Sequence, residues 1–286
     1  MTDSPDYTIV FVVHGGPLES KSALLAASLA LHYRPRKVIA RLMEPASLWG
    51  NLSPAADRLF DKLGIEVRTS QNRIDPTYPH GNKVTALEGV KGPSIFLDSD
   101  MMLMVPFSWH YALNADMAAK PADLDTFTRG GGSWGAVWSL FDRPIPPRNV
   151  VASVSREKMR PYYNAGFIAV KDGDRFAETW LDCSLKIDAE RRVENKRPWL
   201  DQIALPVAAD LLGWQVRELP ESLNFPCHLR QPTGTLPYFS HYHWPKVIAD
   251  GQPLMLHLRD CLRAFPLLEP VLRLDPEMVP VVDRAR

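Results

Sequence analysis

The sequence predicts an α/β fold: a mostly parallel central sheet flanked by helices. Two observations carry this. Short apolar, β-branched runs alternate with helical segments through the first hundred residues, the pattern of right-handed βαβ units. The first of the strand-like runs, Thr8 to Val13, is apolar and β-branched throughout rather than alternating, as in a strand buried on both faces. At 286 residues and 45% hydrophobic, the chain can fill one large core.

Thr8 to Val13 (T-I-V-F-V-V) is the first buried strand, broken by His14-Gly15-Gly16-Pro17. Ser20 to Tyr33 has helical periodicity, and Lys37 to Leu42 reads as a second strand. Ser53 caps a helix with Pro54 at its first position, running to about Leu63. Gly64 ends it, and Ile65 to Arg68 is a third strand. A short helix within Gly81 to Val90 leads to a fourth strand, Ser94 to Leu97. Later, Trp134 to Trp138, Gly166 to Val170 and Leu254 to Leu258 (L-M-L-H-L) read as strands. Asp174 to Ala189 and Leu200 to Leu212 read as helices. No internal repeat and no clear linker interrupts the chain, so 1–286 is expected to be a single two-lobed domain.

Charge narrows the function. Lys+Arg and Asp+Glu both number 33, which argues against a general nucleic-acid binder. No window reaches the 18 or so apolar residues of a membrane helix. The first residues, M-T-D-S-P-D-Y, lack the basic start and apolar run of a signal peptide. Cys183, Cys227 and Cys261 show neither zinc spacing nor a disulfide framework, so a cytoplasmic setting is expected, with room for peripheral membrane contact.

The chemistry concentrates at Asp98-Ser99-Asp100, which follows the apolar run Ile95-Phe96-Leu97. Carboxylates are rarely buried unless paired or bound to metal. On an extended chain, positions i and i+2 point the same way. Two converging oxygen ligands at a strand end suit Mg²⁺ or Mn²⁺, with a diphosphate completing the shell. D-x-D also occurs at Asp123-Leu124-Asp125, a polar helix start, and at Asp172-Gly173-Asp174, a turn. Only the first follows a buried-strand pattern.

Other candidates are weaker alone. His14-Gly15-Gly16 ends the first strand, where missing side chains admit a base or ribose. His257, among apolar neighbours, is either a third metal ligand or a core histidine. Lys83 faces a phosphate, pairs with an acid, or is simply exposed. Asn164, before Ala165-Gly166, bonds sugar hydroxyls or holds a turn. Asp201-Gln202 opens an apolar helix, where a carboxylate favours the helix dipole as readily as it serves catalysis. Gly130 to Gly135 matches G-x-G-x-x-G but follows no strand and is expected to open no helix, so the dinucleotide reading fails. His241-Tyr242-His243 reads as part of an aromatic, acceptor-binding loop in preference to a metal site.

In order, N-K-x-x-A-L, I-F-L-D-S-D, Y-N-A-G-F-I-A-V, W-L-D-Q and L-M-L-H-L resemble a nucleotide-sugar-dependent glycosyltransferase of the Rossmann-like GT-A fold. The resemblance is strongest to the glycogenin-like and bacterial lipooligosaccharide galactosyltransferase group. It spans roughly residues 8 to 260 as scattered motifs. It implies a nucleotide-sugar-binding half at about 8–110, an acceptor and catalytic half at about 130–260, and a C-terminal tail at 262–286. Asp98, Asp100 and His257 would hold Mn²⁺ or Mg²⁺ against the diphosphate of a donor, a UDP-sugar by preference. His14, Gly15, Lys83, Ser99, Asn164 and Gly166 would bind the donor. Asp201 and Gln202 would lie by the reacting carbon, and the group favours retention. The acceptor would be a glycan or glycolipid. The chain lacks the group's K-P-W segment after the late histidine; Arg259-Asp260-Cys261 stands there. Two other readings remain: a sugar nucleotidyltransferase, which would place a basic Gly-rich loop after the first strand, and a non-catalytic glycan-binding protein of the same fold.

Overall fold

The computed structural model describes residues 7–33 and 37–286; the polar start, apart from Tyr7, lies outside them. Its strands in chain order are β1 (Thr8–Val13), β2 (Val38–Glu44), β3 (Glu66–Gln71), β4 (Ser94–Leu97), β5 (Met101–Leu103) and β6 (Met117–Pro121). They continue with β7 (Val150–Val151), β8 (Lys158–Met159), β9 (Tyr163–Val170), β10 (Val216–Glu218), β11 (Phe225–Pro226) and β12 (Phe239–His241). The chain divides into two compact units.

One unit holds the described residues of 7–71 together with 96–109 and 220–286. Here β1 pairs parallel with β2, and β2 with β3. β1 is buried along its whole length, as its unbroken apolar run predicts. The helix Pro17–His32 turns ten of its residues inward, and Ser22 Oγ donates to the Val12 carbonyl at 3.0 Å. The helix Pro54–Leu63 starts as expected: Ser53 Oγ accepts from the Ala56 N–H at 3.1 Å, and Gly64 closes it in the left-handed conformation. A smaller sheet orders β11-β12-β5, with β12 antiparallel to β5.

The other unit holds 72–95 and 110–219. β10 pairs parallel with β6, and β6 antiparallel with β9. The helices Gly173–Ala189 and Leu200–Leu211 pack together. Pro206 lies inside the second, so no N–H returns to the Gln202 carbonyl.

The α/β class and the dominance of parallel pairing match the sequence reading. Four local expectations do not. Leu254 to Leu258 is not a strand but part of the helix Gln252–Ala264, and its buried Leu254, His257, Leu258 and Cys261 follow a 3.6-residue period. Trp134 to Trp138 lies in the helix Trp134–Ser139, capped by Ser133. The glycine-rich run therefore does open a helix, but a helix, Thr126–Arg129, precedes it rather than a strand, so it still fails as a dinucleotide motif. Residues 262–286, expected as a tail, complete the helix Gln252–Ala264 and form the helices Leu268–Leu272 and Val279–Ala285, with Leu268, Val271, Leu272 and Val282 fully buried.

Candidate active site

The D-S-D turn is anchored at its middle. The Ser99 hydroxyl donates to the Val12 carbonyl of β1. The chain then enters β5, and antiparallel pairing sets Met101 opposite His241 at the end of β12. The Tyr242 N–H donates to the Asp100 carbonyl at 3.1 Å. Backbone register thus delivers the H-Y-H segment to the second aspartate.

The side chains converge there. His241 Nε2 lies 2.9 Å from Asp100 Oδ1 and 3.8 Å from Asp98 Oδ2. His243 Nδ1 lies 3.3 Å from Asp100 Oδ2. The two imidazoles stack with centroids 3.9 Å apart. Asp100, His241 and His243 are the group of ligand-bearing side chains that converges among the described residues, with donor atoms all within 4.8 Å of one another.

Burial alone would raise the Asp100 pKa, but the charge of His241 and hydrogen bonds from both histidines hold it well below the usual carboxylate value. Burial, and then the neighbouring His241, lower that of His243. The donor set passes a simple test for a cation. Both ring nitrogens of His241 face oxygens, Nδ1 at 2.9 Å from Asn224 Oδ1 and Nε2 at 2.9 Å from Asp100 Oδ1. A neutral imidazole has one N–H, so its second contact is repulsive unless a proton or a metal ion lies between.

His257, expected as the third ligand, is elsewhere. It lies in the helix Gln252–Ala264 with its ring stacked on His32 at 5.0 Å, and its buried Nε2 has no hydrogen-bond partner. The structure brings His241 and His243 to Asp100 instead. The sequence showed two histidines one residue apart, but their meeting with the D-x-D turn depends on a strand pairing 140 residues away in sequence, which no local pattern reports.

His14, at the end of β1, packs its ring 5.1 Å from Trp49, whose buried indole N–H has no partner. Gly15 is needed for a reason other than ligand access: a Cβ there would stand 2.9 Å from the Asn51 carbonyl oxygen and 3.1 Å from Gly50 Cα. A chain segment occupies the space left by the missing side chain.

In the other unit, Lys83 and Asp201 meet. Lys83 Nζ lies 3.3 Å from Asp201 Oδ2, and the carboxylate is wholly buried. Neither Asp201 oxygen receives an aligned hydrogen bond, while its backbone carbonyl accepts from Trp180 Nε1 at 2.9 Å. Gln202 beside it is half-buried. Asn164, within β9, accepts the Gly166 N–H on Oδ1 at 2.8 Å. Its Nδ2 donates to Asp123 Oδ2 at 3.4 Å. Asp123, read from sequence as a helix-start residue, is the hub of a cluster that includes the fully buried Lys120 and the half-buried Ser153.

The sequence matches the Rhodobacterales glycosyltransferase domain family over residues 9–213. No curated protein matches it. Among solved structures, the glycosyltransferase GlyE of Streptococcus pneumoniae TIGR4 is similar with TM-score 0.50 and 14% identity, over 94% of this chain and 63% of GlyE. The chain thus spans less than two thirds of GlyE. An active-site mutant of LgtC is similar with TM-score 0.50 and 9% identity, over 82% of this chain and 86% of LgtC. At these identities the likeness is one of fold, and it agrees with the Rossmann-like α/β class predicted from sequence. Among the described residues, no helix is long and apolar enough to cross a membrane.

Proposed function

The chain belongs to the Rhodobacterales glycosyltransferase domain family, and on that premise we propose that it moves a sugar from a UDP-sugar to a glycan or glycolipid acceptor, with retention, using Mn²⁺ or Mg²⁺. The observation that carries this reading is Asp100 with two imidazole nitrogens on its carboxylate, in the D-S-D turn that follows β4. Asp98, Asp100 and His241 would hold the metal. When bound, the ion supplies positive charge to a diphosphate leaving group.

The remaining roles follow burial. His14, half-buried at the end of β1 and packed on Trp49, offers an aromatic edge to a nucleotide. Ser99 and Gly15 act through the backbone they hold in place. Asn164 and Gly166 shape the chain where a donor sugar would be recognised. Gln202, half-buried, is the group proposed to reach the reacting carbon. Asp201, wholly buried against Lys83, positions it.

The test is a screen of nucleotide sugars with and without Mn²⁺ in wild type and Asp100→Ala, reading binding and donor hydrolysis. Metal-dependent binding of a UDP-sugar, lost in the variant, is expected. Binding that ignores metal, or no binding of any nucleotide sugar, overturns the proposal. Slow hydrolysis without acceptor separates an enzyme from a binding protein, and the product anomer decides retention.

A further inference from the structure

Building on the metal-dependent reading above, we propose that His243 supplies a second imidazole nitrogen to the same ion, making a nitrogen-rich centre that selects Mn²⁺ and later transition ions over Mg²⁺. The resemblance noted from sequence implied two carboxylates and one histidine. This chain places two histidines there, and each ring nitrogen is aimed at a different oxygen of Asp100: His241 Nε2 at Oδ1, His243 Nδ1 at Oδ2.

The placement of His243 is enforced. In an extended chain, its ring would simply follow that of His241 two residues earlier. Instead its backbone adopts φ 58°, a left-handed conformation that a non-glycine residue holds only when its surroundings over-determine it. Lys21 Nζ donates to the His243 carbonyl at 2.6 Å, and the Trp244 N–H donates to the Tyr242 carbonyl at 2.6 Å. The ring itself is gripped on two sides. His241 stacks on one face at 3.9 Å, and His228 meets it nearly perpendicular at 4.0 Å. A residue serving only as an aromatic filler would not need its Nδ1 directed at a half-buried carboxylate.

Ligands about 2.1 Å from one ion stand roughly 3–4 Å apart, so donor atoms within 4.8 Å of one another need only a small closure to share it. Imidazole suits Mn²⁺ poorly compared with Co²⁺ or Zn²⁺, but far better than it suits Mg²⁺, which demands oxygen and dehydrates reluctantly. A second nitrogen therefore shifts the choice of ion.

The experiment titrates the full chain with Mn²⁺, Co²⁺ and Mg²⁺ alone by calorimetry, and counts nitrogen ligands on bound Mn²⁺ by pulsed electron paramagnetic resonance. His243→Asn is the main variant because asparagine tolerates a left-handed backbone; Asp100→Ala is the reference. Wild type should show two imidazole nitrogens and Mg²⁺ binding at least about tenfold weaker than Mn²⁺. His243→Asn should show one, lose roughly tenfold or more in Mn²⁺ affinity, and narrow the Mn²⁺/Mg²⁺ ratio. An unchanged ratio and nitrogen signal in His243→Asn, with binding abolished in Asp100→Ala, overturns the role of His243 and leaves the metal-dependent reading standing. Wild type that binds no Mn²⁺ overturns both. If His243→Asn does not fold, the wild-type count decides: a single nitrogen overturns the proposal.

Discussion

The ammonium of Lys83 stands 3.3 Å from a carboxylate oxygen of Asp201 that has no exposure to solvent. Removing one member of such a pair leaves the other charge buried and uncompensated, at a cost of about 3–5 kcal/mol. Lys83→Met should therefore lower unfolding free energy by that amount. Lys83→Met combined with Asp201→Asn should recover much of it, since the stranded charge is gone. Urea denaturation of the two single variants and the double gives the coupling directly. A cycle in which the single effects simply add would show that the two groups do not interact.

His257 makes stability depend on pH. Burial, reinforced by the stacked His32 ring, pushes its pKa down to about 4 from 6.5, against smaller raising effects from the Leu103 carbonyl and Asp260. The unfolded chain then binds more protons between pH 6.5 and about 4. Stability is full above pH 6.5 and falls as pH drops through that window, by about 3 kcal/mol from this group at 1.36 kcal/mol per pK unit. Burial lowers the His32 pKa too, so both rings act in the same direction. His257→Gln should flatten the slope between pH 7.5 and 5, measured as unfolding free energy at several pH values. A slope as steep as wild type in that variant would place the proton elsewhere.

The same residue shows where sequence reasoning stops. Buried parallel strands such as Thr8–Val13 and Ser94–Leu97 announce themselves locally, because an unbroken β-branched run has few other uses. The cap at Ser53 and the stop at Gly64 are equally local. L-M-L-H-L alternates well enough to suggest a strand, yet Pro253 in the first turn and Leu254, Leu258 and Cys261 at helical spacing mark a helix. The D-x-D half of the candidate site is legible because its strand is. Its histidine half is not: His241 reaches Asp100 only through the pairing of β12 with β5, a contact between distant segments that leaves no periodic trace.

Gly15 sits where β1 ends, with backbone of the Gly50–Asn51 turn against it. An added Cβ would meet Asn51 O at 2.9 Å and Gly50 Cα at 3.1 Å. Neither is the tip of a flexible side chain, so the turn itself must move. Gly15→Ala should cost about 1–3 kcal/mol, the range for overpacking, and lower the melting temperature by roughly 2–4 °C per kcal/mol for a chain of this size. Thermal melts of Gly15→Ala beside Gly135→Ala make the comparison, because a Cβ at Gly135 meets nothing nearer than 3.6 Å. Equal melting temperatures for the two variants would mean the turn yields freely.

Lys120 is the most deeply buried cation in the described chain, with no exposure. Its ammonium donates to Asp123 and, at 3.1 Å, to the Ser153 hydroxyl; Ser153 in turn donates to the same Asp123 oxygen at 2.7 Å. Two linked polar groups close on one small charged head, so size matters as much as charge. An arginine keeps the charge but brings a planar fork that the enclosed space cannot accept. Lys120→Arg should destabilise by about 1–3 kcal/mol through overpacking. Lys171→Arg offers the control: Lys171 also pairs with an aspartate, Asp116, but its side chain is 46% exposed and the larger head can turn outward. That change should stay within about 0.5 kcal/mol. Chemical denaturation of the two variants decides the point, and equal losses in both would show that the Lys120 cluster is looser than its hydrogen bonds imply.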